Sequence, residues 1–97
     1  MIHHETIGNY PGTLAELAEE IGDLKYDALA AFLGLLSAKV TRDASKDRGR
    51  GRVRLAEALQ DCADKLSGSA TDAGRAWHIS EPHMVEGSHS KVAPPAV

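Results

Sequence analysis

All ten leucines of this 97-residue chain fall between Leu14 and Leu66. They recur at the three- and four-residue spacing of a helix face. Fifteen alanines join them as the most frequent apolar residue. Both residue types favour helices, since neither is β-branched. No stretch alternates apolar with polar residues for long, as a half-buried strand would require. The expected fold class is all-α, and the length allows one small domain.

Phase divides the first leucine cluster in two. At ~100° per residue, Leu14, Leu17, Ile21, Leu24 and Ala28 share one stripe, while Leu29, Phe32, Leu33, Leu36 and Val40 share another roughly a quarter turn away. A straight helix would expose one of the two, so either the chain breaks near Gly22–Leu24 or one long helix is covered on two faces. The expected solution is the break, giving helices at about 13–21 and 24–42. Thr13 and Glu16 form a Thr-x-x-Glu capping box at the first start, and Asp23 suits the second. A third helix follows Leu55, Leu59, Cys62 and Leu66, with Cys62 expected in the buried interface and Gly68 at its end. A short fourth helix is expected from Ser69, aligning Ala70, Ala73 and Trp77 and stopping at Pro82.

The expected architecture is a small up-and-down bundle of three main helices plus a short fourth, completed by dimerisation. The chain divides into an irregular segment over 1–12, a helical domain over 13–81 and a disordered tail over 82–97. Dimerisation is expected because helix 2 is apolar around more than half its circumference. One narrow partner stripe cannot cover both its Leu24/Ala28/Leu35 side and its Leu29/Phe32/Leu36/Val40 side.

Bulk properties narrow the function classes. The formal net charge is −3, which does not suit bulk binding to nucleic acid or membranes. One cysteine, Cys62, permits no intrachain disulfide. The apolar run Ala28–Leu36 is shorter than the ~20 residues a bilayer needs. Met1–Glu5 carries neither a basic n-region nor an apolar run, so a cytoplasmic location is expected. His3, His4, His78, His83 and His89 lack zinc-site spacing, and no cofactor is expected.

The charge is unevenly placed. Residues 42–54 hold six basic and two acidic side chains, +4, against −4 for 1–41 and −3 for 55–97. This stretch reads as a charged connector between helices. Arg48, Arg50, Arg52 and Arg54 alternate through it as candidate contacts for a protein partner or a phosphate. They lack the interleaved aromatics that base stacking needs.

The acidic residues form a second candidate set. Glu16, Glu20, Asp23 and Asp27 repeat at a 4-3-4 spacing and would share a face on a continuous helix, with Glu19 beside them. Carboxylates so placed suit Mg²⁺ or Mn²⁺, and Glu16, Glu19, Glu20 and Asp23 are the candidate ligands. The stretch Leu17-Ala18-Glu19-Glu20-Ile21-Gly22-Asp23-Leu24 resembles the second acidic motif of MazG-type nucleotide pyrophosphohydrolases. That resemblance implies a metal-dependent nucleotide hydrolase. It covers about eight residues, and the first twelve residues do not supply the family's earlier Glu-x-x-Glu helix. Thr13 to Gly22 is similar to the first helix and turn of helix-turn-helix DNA-binding domains, which implies reading by the next helix. That helix offers Lys25 and Asp27 and is otherwise apolar, a poor match for base edges and phosphates. The leading expectation is a non-catalytic protein–protein interaction module acting as a homodimer. The alternatives are a pyrophosphohydrolase-like enzyme and a nucleic-acid binder working through residues 42–54.

Overall fold

The computed structural model of the chain describes residues 3–81. These form three helices in the order α1 (Leu14–Gly22), α2 (Tyr26–Gly49) and α3 (Val53–Ser80), with no strand among the described residues. The break expected near Gly22 is present, since α1 ends there and Asp23–Lys25 link it to α2. The expected tail over 82–97 lies outside the described residues.

The helices α2 and α3 pack along their length as an antiparallel hairpin, while α1 makes no extended contact with either. The seam follows two heptad stripes. On α2 it runs through Ala30, Leu33, Ser37, Val40, Ala44 and Asp47. On α3 it runs through Ala56, Leu59, Ala63, Leu66, Ala70 and Ala73, and Trp77 and Ser80 continue the same stripe past the level of Tyr26. Every one of these residues is buried or half-buried. A strict 3-4 alternation keeps a seam facing its partner over many turns. Small residues occupy the tightest layers, with Ala44, Ala56, Ser37 and Ala63 all buried. The Ser37 Oγ donates to the Ala63 carbonyl across the seam at 2.8 Å. A side chain that short reaches the facing backbone only because the helices approach closely there.

Three expectations need correction. Cys62 is exposed rather than buried. The seam of α3 is turned by one residue from the Leu55/Leu59/Cys62/Leu66 stripe, with Ala56 and Ala63 in place of Leu55 and Cys62. Close approach excludes leucine from the tight layers, so alanines take the centre and Leu55 stands at the edge. Gly68 does not end α3, and the expected fourth helix is its continuation to Ser80. Gly68 has no positive φ and does not form a cap.

The charged stretch 42–54 is the third. It is mostly helix, with only residues 50–52 between α2 and α3. The charge there leaves the helix intact, and Ala44 and Asp47 within the stretch still join the seam. Lys39 pairs with Asp43 one turn on at 2.7 Å, and Lys46 and Arg48 suit the C-terminal end of the α2 dipole. The turn depends on Gly51 at φ 82°. The Arg52 N–H donates to the Asp47 carbonyl at 2.8 Å, closing the reversal.

Two glycines test the continuity of the helices with opposite signs. Gly68 lies inside α3 with nothing within 4 Å of an added Cβ, so Gly68→Ala should stabilise the protein by about 0.5–1 kcal/mol. Gly51→Ala should destabilise it by about 1–2 kcal/mol because of its left-handed backbone. Denaturant melts of both variants decide the matter. A destabilising Gly68→Ala would mean that a helix ends there. In the seam, Ala63→Leu should cost about 1–3 kcal/mol by overpacking, whereas Cys62→Ser should stay within about 0.5 kcal/mol.

Candidate functional site

The acidic set sits on and just after α1, and most of it serves that helix. Thr13 is the N-cap, with φ −81° and ψ 165°. Its Oγ1 accepts from the Glu16 N–H at 3.0 Å, and the Glu16 carboxylate accepts from the Thr13 N–H at 2.8 Å. The expected capping box is therefore complete. Hydrogen bonds from the Thr13 backbone and then its side chain hold the Glu16 carboxyl below its ordinary value. The Tyr10 hydroxyl donates to Glu20 at 2.6 Å, and this bond raises the Tyr10 phenol above its usual range. The Tyr10 ring lies over Gly12, where an added Cβ would meet ring carbon at 2.7 Å. Glu19 and Asp23 make no side-chain bond or ion pair among the described residues. No group of three or more His, Cys, Asp or Glu is placed to hold a metal ion among them.

The arginines of the second set are spread around the hairpin turn. Arg48 is in the last turn of α2, Arg50 caps it, Arg52 precedes α3 and Arg54 is in its first turn. Asp47 gathers two of them, with Arg50 at 3.9 Å and Arg52 at 3.4 Å. Arg48 and Arg54 form no ion pair among the described residues. The packed helix pair implied by the helix-turn-helix resemblance is not formed, because α1 stands off α2.

The structure also exposes an apolar surface that the sequence reading divided wrongly. The residue before every second seam position lies on one flank of the hairpin: Leu29, Leu36 and Asp43 on α2, and Leu55, Cys62, Ser69 and Ala76 on α3, with Lys39, Lys46, Lys65 and Asp72 adjoining it and Lys39 paired to Asp43 there. Antiparallel packing puts these two rows on the same side. A shallow groove near the turn is mostly polar, lined by His3, Asp43, Asp47, Arg50 and Arg52 together with Leu55 and Leu59. Phe32 and Ile79 adjoin the rows at helical spacing. Phe32 is 36% exposed, Leu36 38%, Leu55 46% and Ile79 48%. The opposite flank carries Gly34, Thr41, Arg48, Gln60, Ser67 and Gly74, which are polar or lack a side chain. One flank of the hairpin therefore mixes Leu29, Leu36 and Leu55 with Asp43, Ser69 and adjoining lysines, while the other is polar or small. A heptad reading of α3 that places alanines in the seam locates this flank, because it moves Leu55 and Cys62 out of the core.

No family model matches the chain, and neither a curated protein nor a solved structure matches it. No helix among the described residues is long and apolar enough to cross a membrane.

The cap predicts how α1 responds to acid. The native Glu16 carboxyl lies below its unfolded value. Its contribution is therefore complete above the ordinary glutamate range and is lost as pH falls through the lowered native value. The helical chemical shifts of α1 should decay below about pH 4 while those of the seam persist. Thr13→Ala should weaken α1 at neutral pH by about 1 kcal/mol. An α1 that stays fully helical at pH 2.5 would show that the box does not hold it. The raised Tyr10 phenol has the opposite sign: its bond to Glu20 contributes below the ordinary tyrosine range and is lost as pH rises through the native value.

Proposed function

We propose that this chain is a non-catalytic helical interaction module of the cytoplasm that works as a homodimer. One observation carries the reading. The described chain fully buries only small side chains, Ala44, Ala56, Ala63 and Ser80, and leaves large apolar ones exposed, among them Phe32, Leu35, Leu36 and Leu55. Exposed apolar side chains beside a core this small favour a partner surface. Covering the half-exposed leucines and Phe32 contributes on the order of 1 kcal/mol for each side chain. A single cysteine standing free on the surface suits a reducing compartment.

Light scattering at micromolar concentration tests this. The expected mass is twice 10.3 kDa, or 20.6 kDa. Leu36→Lys, which alters an exposed position, should return the chain to one copy without loss of helical circular dichroism. A wild-type mass of 10.3 kDa with a melt independent of concentration would defeat the reading. A rise of several degrees in Tm with millimolar Mg²⁺, abolished by Glu19→Gln with Asp23→Asn, would point instead to the hydrolase reading.

A further inference from the structure

The two ends of the molecule carry opposite charges that do not pair within one chain. Residues 13–24 contain Glu16, Glu19, Glu20 and Asp23 with no lysine or arginine, a charge of −4. Residues 46–54 contain Lys46, Arg48, Arg50, Arg52 and Arg54 against Asp47, five minus one, +4. The 24 residues of α2 separate these ends by about 36 Å. No carboxylate of α1 is ion-paired among the described residues, and neither is Arg48 or Arg54.

We propose that a second copy of this chain docks antiparallel on the flank of Phe32, Leu36, Leu55, Cys62 and Ile79, placing the acidic end of each copy over the basic turn of the other. This rests on the homodimer reading and specifies its interface. The flank has its middle at Leu36 and Cys62, beside the Ser37–Ala63 layer. From Ser37, α2 runs about 18 Å to Gly49 and about 17 Å back to Tyr26. A two-fold axis through this point, perpendicular to the helices, lays each flank on its mate and exchanges the two ends. The same operation brings Cys62 near the Cys62 of the second copy. An axis along the helices would stack turn on turn, +4 against +4, a like-charge juxtaposition that opposes association.

Cross-linking and charge reversal test the arrangement with the full chain. A short bismaleimide should join wild-type dimers through Cys62. In a Cys62→Ala background, Arg54→Cys should fail to join to its mate, because the turns lie at opposite ends. The Arg48→Glu/Arg54→Glu variant and the Glu19→Lys/Asp23→Lys variant should each weaken self-association about tenfold or more at low salt. Their equimolar mixture should recover part of the dimer, since it pairs one −4 end with one +4 turn and leaves the second contact between neutralised ends. That recovery also shows that both variants fold.

Efficient Arg54→Cys cross-linking would establish the parallel arrangement and overturn the proposal while leaving the homodimer intact. A dimer without a Cys62 cross-link, or one indifferent to the charge changes, would place the interface on another surface and likewise overturn it. A wild-type chain that is a single copy at micromolar concentration would defeat both the proposal and the reading beneath it.

Discussion

The close approach of α2 and α3 at Ser37 and Ala63 determines the rest of the architecture. A hydroxyl that reaches the facing backbone at 2.8 Å leaves no room for a large side chain in that layer. Counting outward along both antiparallel helices sets Ala44 level with Ala56 and Ala30 level with Ala70. Between these small layers Leu33, Val40, Leu59 and Leu66 fill the wider gaps. Alternating small and large layers defines one register, because a slip along the seam would set leucine against leucine and serine against a void.

The exposed leucines follow from the same constraint. A seam built on alanine buries little apolar area per layer. The larger residues do not disappear from the surface: Leu36 and Leu55 stand beside the seam, and Leu35 is 72% exposed away from it. The chain therefore has a narrow internal core with apolar side chains left outside it. Two proteins with equal leucine content can differ in this way. Leucine in the seam makes a self-sufficient hairpin, whereas leucine beside the seam makes one that favours company.

Much of this was legible in the residues. The all-helical class, the break at Gly22 and the Thr13–Glu16 cap follow from propensity, phase and side-chain chemistry at named positions. The register of α3 was not legible by the rule of following the largest apolar side chains, which selects Leu55 and Cys62. Alanine is small enough to be read as neutral, yet Ala56, Ala63, Ala70 and Ala73 are the regular members of the stripe. Gly68 and the run from Arg42 to Arg54 misled for a related reason. Glycine and charge often mark loops, but within a long helix an exposed glycine costs only about 1 kcal/mol, and arginine and lysine are good helix formers. Of the candidate residues, Glu16 and Glu20 have local partners that explain them. Arg48 and Arg54 have none in the described structure, and their role was not legible without knowing which end of the hairpin they occupy.

The reversal at residues 50–52 also governs how the molecule assembles. Because only three residues join the helices, the first seam layers close at small sequence separation, with little loop entropy to overcome. The remaining layers can then form in succession away from the turn, a topology of low contact order that favours rapid folding. Any pairing of whole hairpins is bimolecular and so depends on concentration. The time the chain spends with its apolar flank uncovered is then set by encounter between folded hairpins rather than by the zipping of each one.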